Sequence, residues 1–128
     1  MIGKSYIAYL PAALVAAGIA IVSLWENPHI PKAVTLTDKT WHLILYVVLG
    51  LALMAAFVAN RHTRVYHYVL AFLCVTAYGA LMEILQHFCT LTRSGEMADF
   101  YADAIGALIG VALVGLWCLM QKKLNTEC

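Results

Sequence analysis

The stretch Gly79–Gly110, GALMEILQHFCTLTRSGEMADFYADAIGALIG, decides the fold. It sets Glu83, Gln86, His87, Arg93, Glu96, Asp99 and Asp103 between two apolar flanks, Val65–Met82 upstream and Ala104–Met120 downstream. Each flank is close to the roughly 20 apolar residues that cross a bilayer as a helix. The polar stretch therefore reads as the cap of a transmembrane hairpin.

The rest of the chain agrees. Of its 128 residues 63% are hydrophobic and only 12% charged, and the mean hydropathy is +0.82. That leaves too little polar surface to cover a water-soluble core. A formal net charge of +1, without a basic stripe of interleaved aromatics, argues against nucleic acid as a partner. The cysteines Cys74, Cys89, Cys118 and Cys128 show no paired spacing and read as buried small hydrophobes. No lipid anchor is expected.

Four spans are predicted, at about residues 6–25, 41–60, 65–86 and 102–120, within a single domain covering 1–128. The first has a longer apolar run than the roughly 7–15 residues of a signal core and reads as a retained helix, with Pro11 in its opening turns. Pro28 and Pro31 keep the following loop from becoming helix, and Thr37 or Asp38 offers a cap for the second span. Only a short hydrophilic turn, Arg61–Arg64, separates the second span from the third. The fold class is thus an all-α integral membrane protein, a four-transmembrane-helix bundle. Lys4, Arg61, Arg64, Lys122 and Lys123 fall on one side, against Lys32, Lys39 and Arg93 on the other, which predicts that both termini are cytoplasmic. The acids are more lopsided still: Glu26, Asp38, Glu83, Glu96, Asp99 and Asp103 all fall on the outer side, which makes it the chemical end.

The polar residues keep helical spacing. Asp38, His42 and Tyr46 recur every four residues at the mouth of the second span, Glu83 stands three before Gln86 and four before His87, and Asp99 stands four before Asp103. Each set therefore shares one helix face. Carboxylates four apart repel, and near hydrocarbon the repulsion is poorly screened. Lys39, Arg93 and protonated His42 or His87 are the internal cations that could answer them, and a divalent metal or a cationic ligand is the external answer. Glu83 is expected to pair with Arg93 or Lys39. Arg93 is also suited to an anionic head group, because its planar donors fit carboxylate and phosphate equally. Gly106 and Gly110 form a small-residue packing motif that leaves self-association into a homo-oligomer open.

The residues Asp38-Lys39 with His42 and Tyr46, then Glu83-Ile-Leu-Gln86, Arg93, and the run Asp99–Gly110, DFYADAIGALIG, resemble the VanZ-like family of small bacterial membrane proteins. The resemblance covers roughly Asp38 to Gly115, and it departs where the family usually has asparagine and this chain has Asp103. It implies a protein of the bacterial cytoplasmic membrane that lowers susceptibility to lipoglycopeptide antibiotics such as teicoplanin, with no known cofactor or metal. Three function classes follow. The leading one is a non-enzymatic envelope protein that binds an amphiphile, either a lipid head group, a lipid-linked cell-wall precursor or a lipoglycopeptide. The binding set is then Asp38, Lys39, His42, Tyr46, Glu83, Gln86, Arg93, Asp99 and Asp103. The second is a hydrolase or transferase acting on a lipid head group, with Glu83 or Asp99 as base and His42 as proton carrier. The third is a structural or assembly protein whose charged pairs lock its helices. No serine-nucleophile motif, phosphate loop or Cys/His zinc pattern names an enzyme.

Overall fold

A computed structural model describes residues 5–25, 35–91 and 96–126. After a single tight helical turn at Tyr6–Tyr9 come four α-helices: α1 (Leu10–Leu24), α2 (Thr35–Ala59), α3 (Val65–Cys89) and α4 (Met97–Thr126). Pro11 sits in the first turn of α1, where its missing N–H has no helical acceptor to lose. All four helices are long and apolar enough to cross a membrane.

Two helix ends differ from expectation. Helix α4 starts at Met97, about five residues before the expected span, so Asp99 lies inside it along with Asp103. Helix α2 starts at Thr35, so Asp38 is inside the helix and not its cap. In both cases hydropathy marks where the hydrocarbon begins, whereas an acid in the first turn favours the positive end of the helix dipole and lets the helix continue.

The turn from α2 to α3 is closed by backbone geometry. The His62 N–H donates to the Phe57 carbonyl (2.8 Å) and the Arg61 N–H to Val58 (2.9 Å), the paired bonds of a helix end that reverses through a left-handed residue. That residue is Arg61, with φ 62°. Asn60 ties the same end to the N-terminal segment, accepting from the Ser5 N–H at 2.8 Å.

The interior holds Ile19, Tyr46, Leu49, Val75, Met82 and Ala107 in one apolar cluster and Met54, Ala71 and Val111 in another. Helices α2 and α4 approach most closely, across glycines. A Cβ on Gly106 would stand 2.6 Å from the Leu43 carbonyl oxygen, and one on Gly110 would collide with the Val47 carbonyl. Gly106 and Gly110 therefore pack against α2 of the same chain.

The distribution of polarity is inverted relative to a water-soluble protein. His42, Glu83, Gln86, Asp99 and Asp103 are buried, while Val65, Phe88, Leu10, Leu73, Leu116 and Trp117 are exposed. At most 33% of the residues in the apolar window of any one span are buried within the chain, so the remaining surface needs an apolar solvent. Cys74 and Cys89 are exposed and not buried as expected. A thiol is apolar enough to face lipid, so an apolar run does not distinguish core from lipid contact.

Candidate functional site

The buried polar side chains collect at the end of the bundle where α2 and α4 begin and α1 and α3 finish. His42 comes from the start of the membrane-crossing part of α2, Glu83 from the last turns of α3, and Asp99 and Asp103 from the first two turns of α4. His42 Nδ1 lies 2.9 Å from Asp103 Oδ1 and 3.8 Å from Glu83 Oε1. A carboxylate only accepts, so the imidazole N–H donates to Asp103. The Asp103 side chain is fully enclosed, with 0% of it exposed.

Gly79 makes that enclosure feasible. A Cβ there would fall 2.9 Å from Asp103 Cβ and 3.2 Å from the Tyr46 ring. One turn further along α3, Glu83 Oε2 accepts the backbone N–H of Glu96 at 2.9 Å. Glu96 immediately precedes α4, so a carboxylate from one helix satisfies an orphan donor at the start of another and meets its positive dipole end. The inter-helix capping role of Glu83 and the space made by Gly79 were not legible in the sequence, because each depends on which helix lies opposite.

The remaining expected site residues divide. Tyr46 is buried beside the cluster, and its hydroxyl makes no hydrogen bond among the described residues. Gln86 is turned away: its Nε2 donates to the Ser23 carbonyl at 2.9 Å, joining α3 to α1. Lys39 approaches Glu96 at 3.7 Å, not Glu83. Both partners are about half exposed, so the pair is worth about 0–1 kcal/mol and places no charge in the interior. Lysine on the first turn of a span extends toward water, which carries its amine away from the buried acid. His87 is exposed, its ring against Phe88. Arg93 and the side chain of Asp38 lie outside the described residues.

Four groups thus meet: His42, Glu83, Asp99 and Asp103. Three carboxylates and one imidazole are thus gathered in an apolar setting, where buried charge is expensive. His42, Glu83 and Asp99 each offer a donor atom, all within 4.8 Å of one another. No short sequence motif announces this set, since its members come from three different helices.

Comparison with curated proteins found no match, and neither did comparison with solved structures. A family model described as VanZ/LLP1 matches residues 8–119, a range that holds the whole of the buried cluster and nearly all of the four helices. The resemblance seen in the motifs is therefore upheld over most of the chain, and this small multi-pass membrane protein belongs to the VanZ/LLP1 family.

Proposed function

We propose that the chain is a non-enzymatic envelope protein of the bacterial cytoplasmic membrane, and that the buried cluster at its outer end receives the polar head of an amphiphile. The amphiphile is a lipid head group, a lipid-linked precursor or a lipoglycopeptide, and the outcome is lower glycopeptide susceptibility. The observation that supports this most is the enclosure of His42, Glu83, Asp99 and Asp103 at one end of a bundle whose outer surface is apolar. Acids kept inside a membrane bundle are costly and by default mark a functional site.

Susceptibility testing at matched expression examines this reading. The wild-type chain is expected to raise the teicoplanin concentration that a sensitive host tolerates, and Glu83→Gln is expected to lose most of that gain. A fully protective Glu83→Gln variant counts against the cluster as the binding site.

Orientation is tested separately, with single-cysteine variants. If both termini are cytoplasmic, Cys89 reacts with an impermeant thiol reagent in intact cells and Cys128 only after permeabilisation. Reaction of Cys128 from outside reverses the topology and moves the cluster to the inner face.

A second reading draws on the 2.9 Å contact between His42 and Asp103. A carboxylate that holds one imidazole nitrogen leaves the other able to carry a proton, as a hydrolase or transferase of lipid head groups requires. Turnover of a lipid-linked phosphate by the purified protein separates this reading from simple binding.

A further inference from the structure

We propose that the seam between α2 and α4, at the end of the bundle opposite the buried cluster, binds an anionic phospholipid, with one acyl chain in an apolar groove and the head group on a basic rim. Leu51, Ala55 and Ala59 of α2 and Leu113 and Trp117 of α4 line a cavity of about 450 Å³. It opens outward, since Ala55, Ala59, Leu113 and Trp117 are all exposed. Nearer the middle of the membrane the two backbones touch: a Cβ on Gly110 would stand 3.1 Å from Gly50 Cα. Past that contact Leu51, Leu113 and Trp117 form walls, and the small Ala55 and Ala59 leave the space between them.

Size and charge together choose the occupant. The groove runs from Leu51 to Ala59, about 12 Å at the helical rise, which is close to the roughly 15 Å of one leaflet's hydrocarbon. A helix of that length, with its side chains, would fill on the order of 1,000 Å³, about twice the cavity, so an acyl chain fits and a partner helix does not. The rim is basic. Arg61 and Arg64 stand exposed in the turn just past Ala59, and Lys122 and Lys123 stand exposed one to two turns past Trp117. Among the described residues no acid lies at this end of the bundle. Guanidinium groups hold phosphate through paired N–H donors. Basic residues at the mouth of a groove between spans are suited to an anionic lipid head group, and an exposed tryptophan suits the border between head groups and chains. The groove shares no residue with the cluster of His42 and Glu83, so this proposal and the amphiphile reading can fail separately.

The test uses Trp117 as reporter. Trp25→Phe with Trp41→Phe leaves it as the one tryptophan of the full-length chain, which is reconstituted in phosphatidylcholine vesicles holding a minor fraction of lipid with brominated chains. Bromine quenches an indole only at contact. Brominated phosphatidylglycerol is expected to quench Trp117 at a mole fraction about fivefold lower than brominated phosphatidylcholine, the effect of roughly one basic residue at an anionic head group. Arg61→Asn combined with Arg64→Gln should remove the preference, asparagine being able to keep the left-handed φ of 62° at position 61. Ala55→Phe, which fills the groove from an exposed position and leaves every charge in place, should remove it too. A chain with Trp41 as its one tryptophan, at the acidic end, should show no preference. Equal quenching of Trp117 by the two lipids overturns the proposal. So does a preference that survives in folded Ala55→Phe, which would assign it to surface charge alone, or one that is equal at Trp41. Quenching that is weak with both lipids and rises as the protein is diluted in the bilayer would put a second copy of the chain in the groove, and that also overturns it. If a rim or groove variant does not fold, the comparison of Trp117 with Trp41 still decides.

Discussion

His42→Ala is expected to destabilise the detergent-solubilised bundle by about 3–5 kcal/mol, the usual cost of removing one member of a buried charged pair. The imidazole is the one hydrogen-bond partner that Asp103 has among the described residues, at 2.9 Å, and the Asp103 side chain is wholly enclosed. Alanine leaves that carboxylate with neither a donor nor water, and it leaves a cavity where the ring was. Asp103→Asn should behave differently. Its amide oxygen still accepts from His42 and it carries no charge, so a change within about 1 kcal/mol is expected, in keeping with a single neutral hydrogen bond. Asparagine is also the residue that the VanZ-like resemblance gives as usual at this position. The double variant should then be more stable than the sum of the two single changes, because asparagine removes the charge that His42→Ala strands. Equilibrium unfolding in detergent with chelator present isolates this pair from any bound ion. A loss below about 1 kcal/mol for His42→Ala would show that the carboxylate finds protons or water without the imidazole, since an uncompensated buried charge cannot be that cheap.

The contrast between these two positions shows how far the sequence could be read. Faces and depths were legible: four-residue spacing put His42 with Tyr46 and Asp99 with Asp103, and four apolar runs fixed the number of helices. What turns toward what was not. His42 and Asp103 are 61 residues apart in the chain, and nothing in their local context says that the face of α2 bearing one meets the face of α4 bearing the other. Gln86 illustrates the same limit from the opposite direction, since it sits at the right depth but is rotated toward α1, where it donates to Ser23. Lys39 was a credible partner for Glu83 by charge and depth, yet a half-exposed amine reaches Glu96 more cheaply than it enters the interior. The extent of α4 was hidden for another reason. Hydropathy falls at Asp99 and Asp103 although the helix continues through both, because their side chains are buried inside the bundle and not held in solvent.

The glycines carry the second large effect. Gly106→Val is expected to separate α2 from α4 and to remove the site together with the stability. The first atom that any side chain adds at Gly106 would lie 2.6 Å from the backbone oxygen of Leu43 and 3.0 Å from Tyr46 Cβ. The nearer of these is main chain, which cannot rotate out of the way, so the helices must move apart. Overpacking of this kind typically costs about 1–3 kcal/mol, and valine, which adds two methyl groups beyond Cβ, belongs at the upper end. The separation also acts on chemistry, because Leu43 follows His42 directly and Gly106 lies one turn beyond Asp103. Opening α2 from α4 there lengthens the 2.9 Å contact between His42 and Asp103. Gly18→Ala is the control, since a Cβ at Gly18 meets nothing within 4 Å and alanine is the better helix former. Unfolding in detergent should therefore show Gly18→Ala neutral or slightly stabilised and Gly106→Val strongly destabilised. Protection against teicoplanin at matched expression should follow the same order. Gly106→Val with wild-type stability would mean that α2 and α4 are not in backbone contact, and the placement of His42 beside Asp103 would fall with that contact.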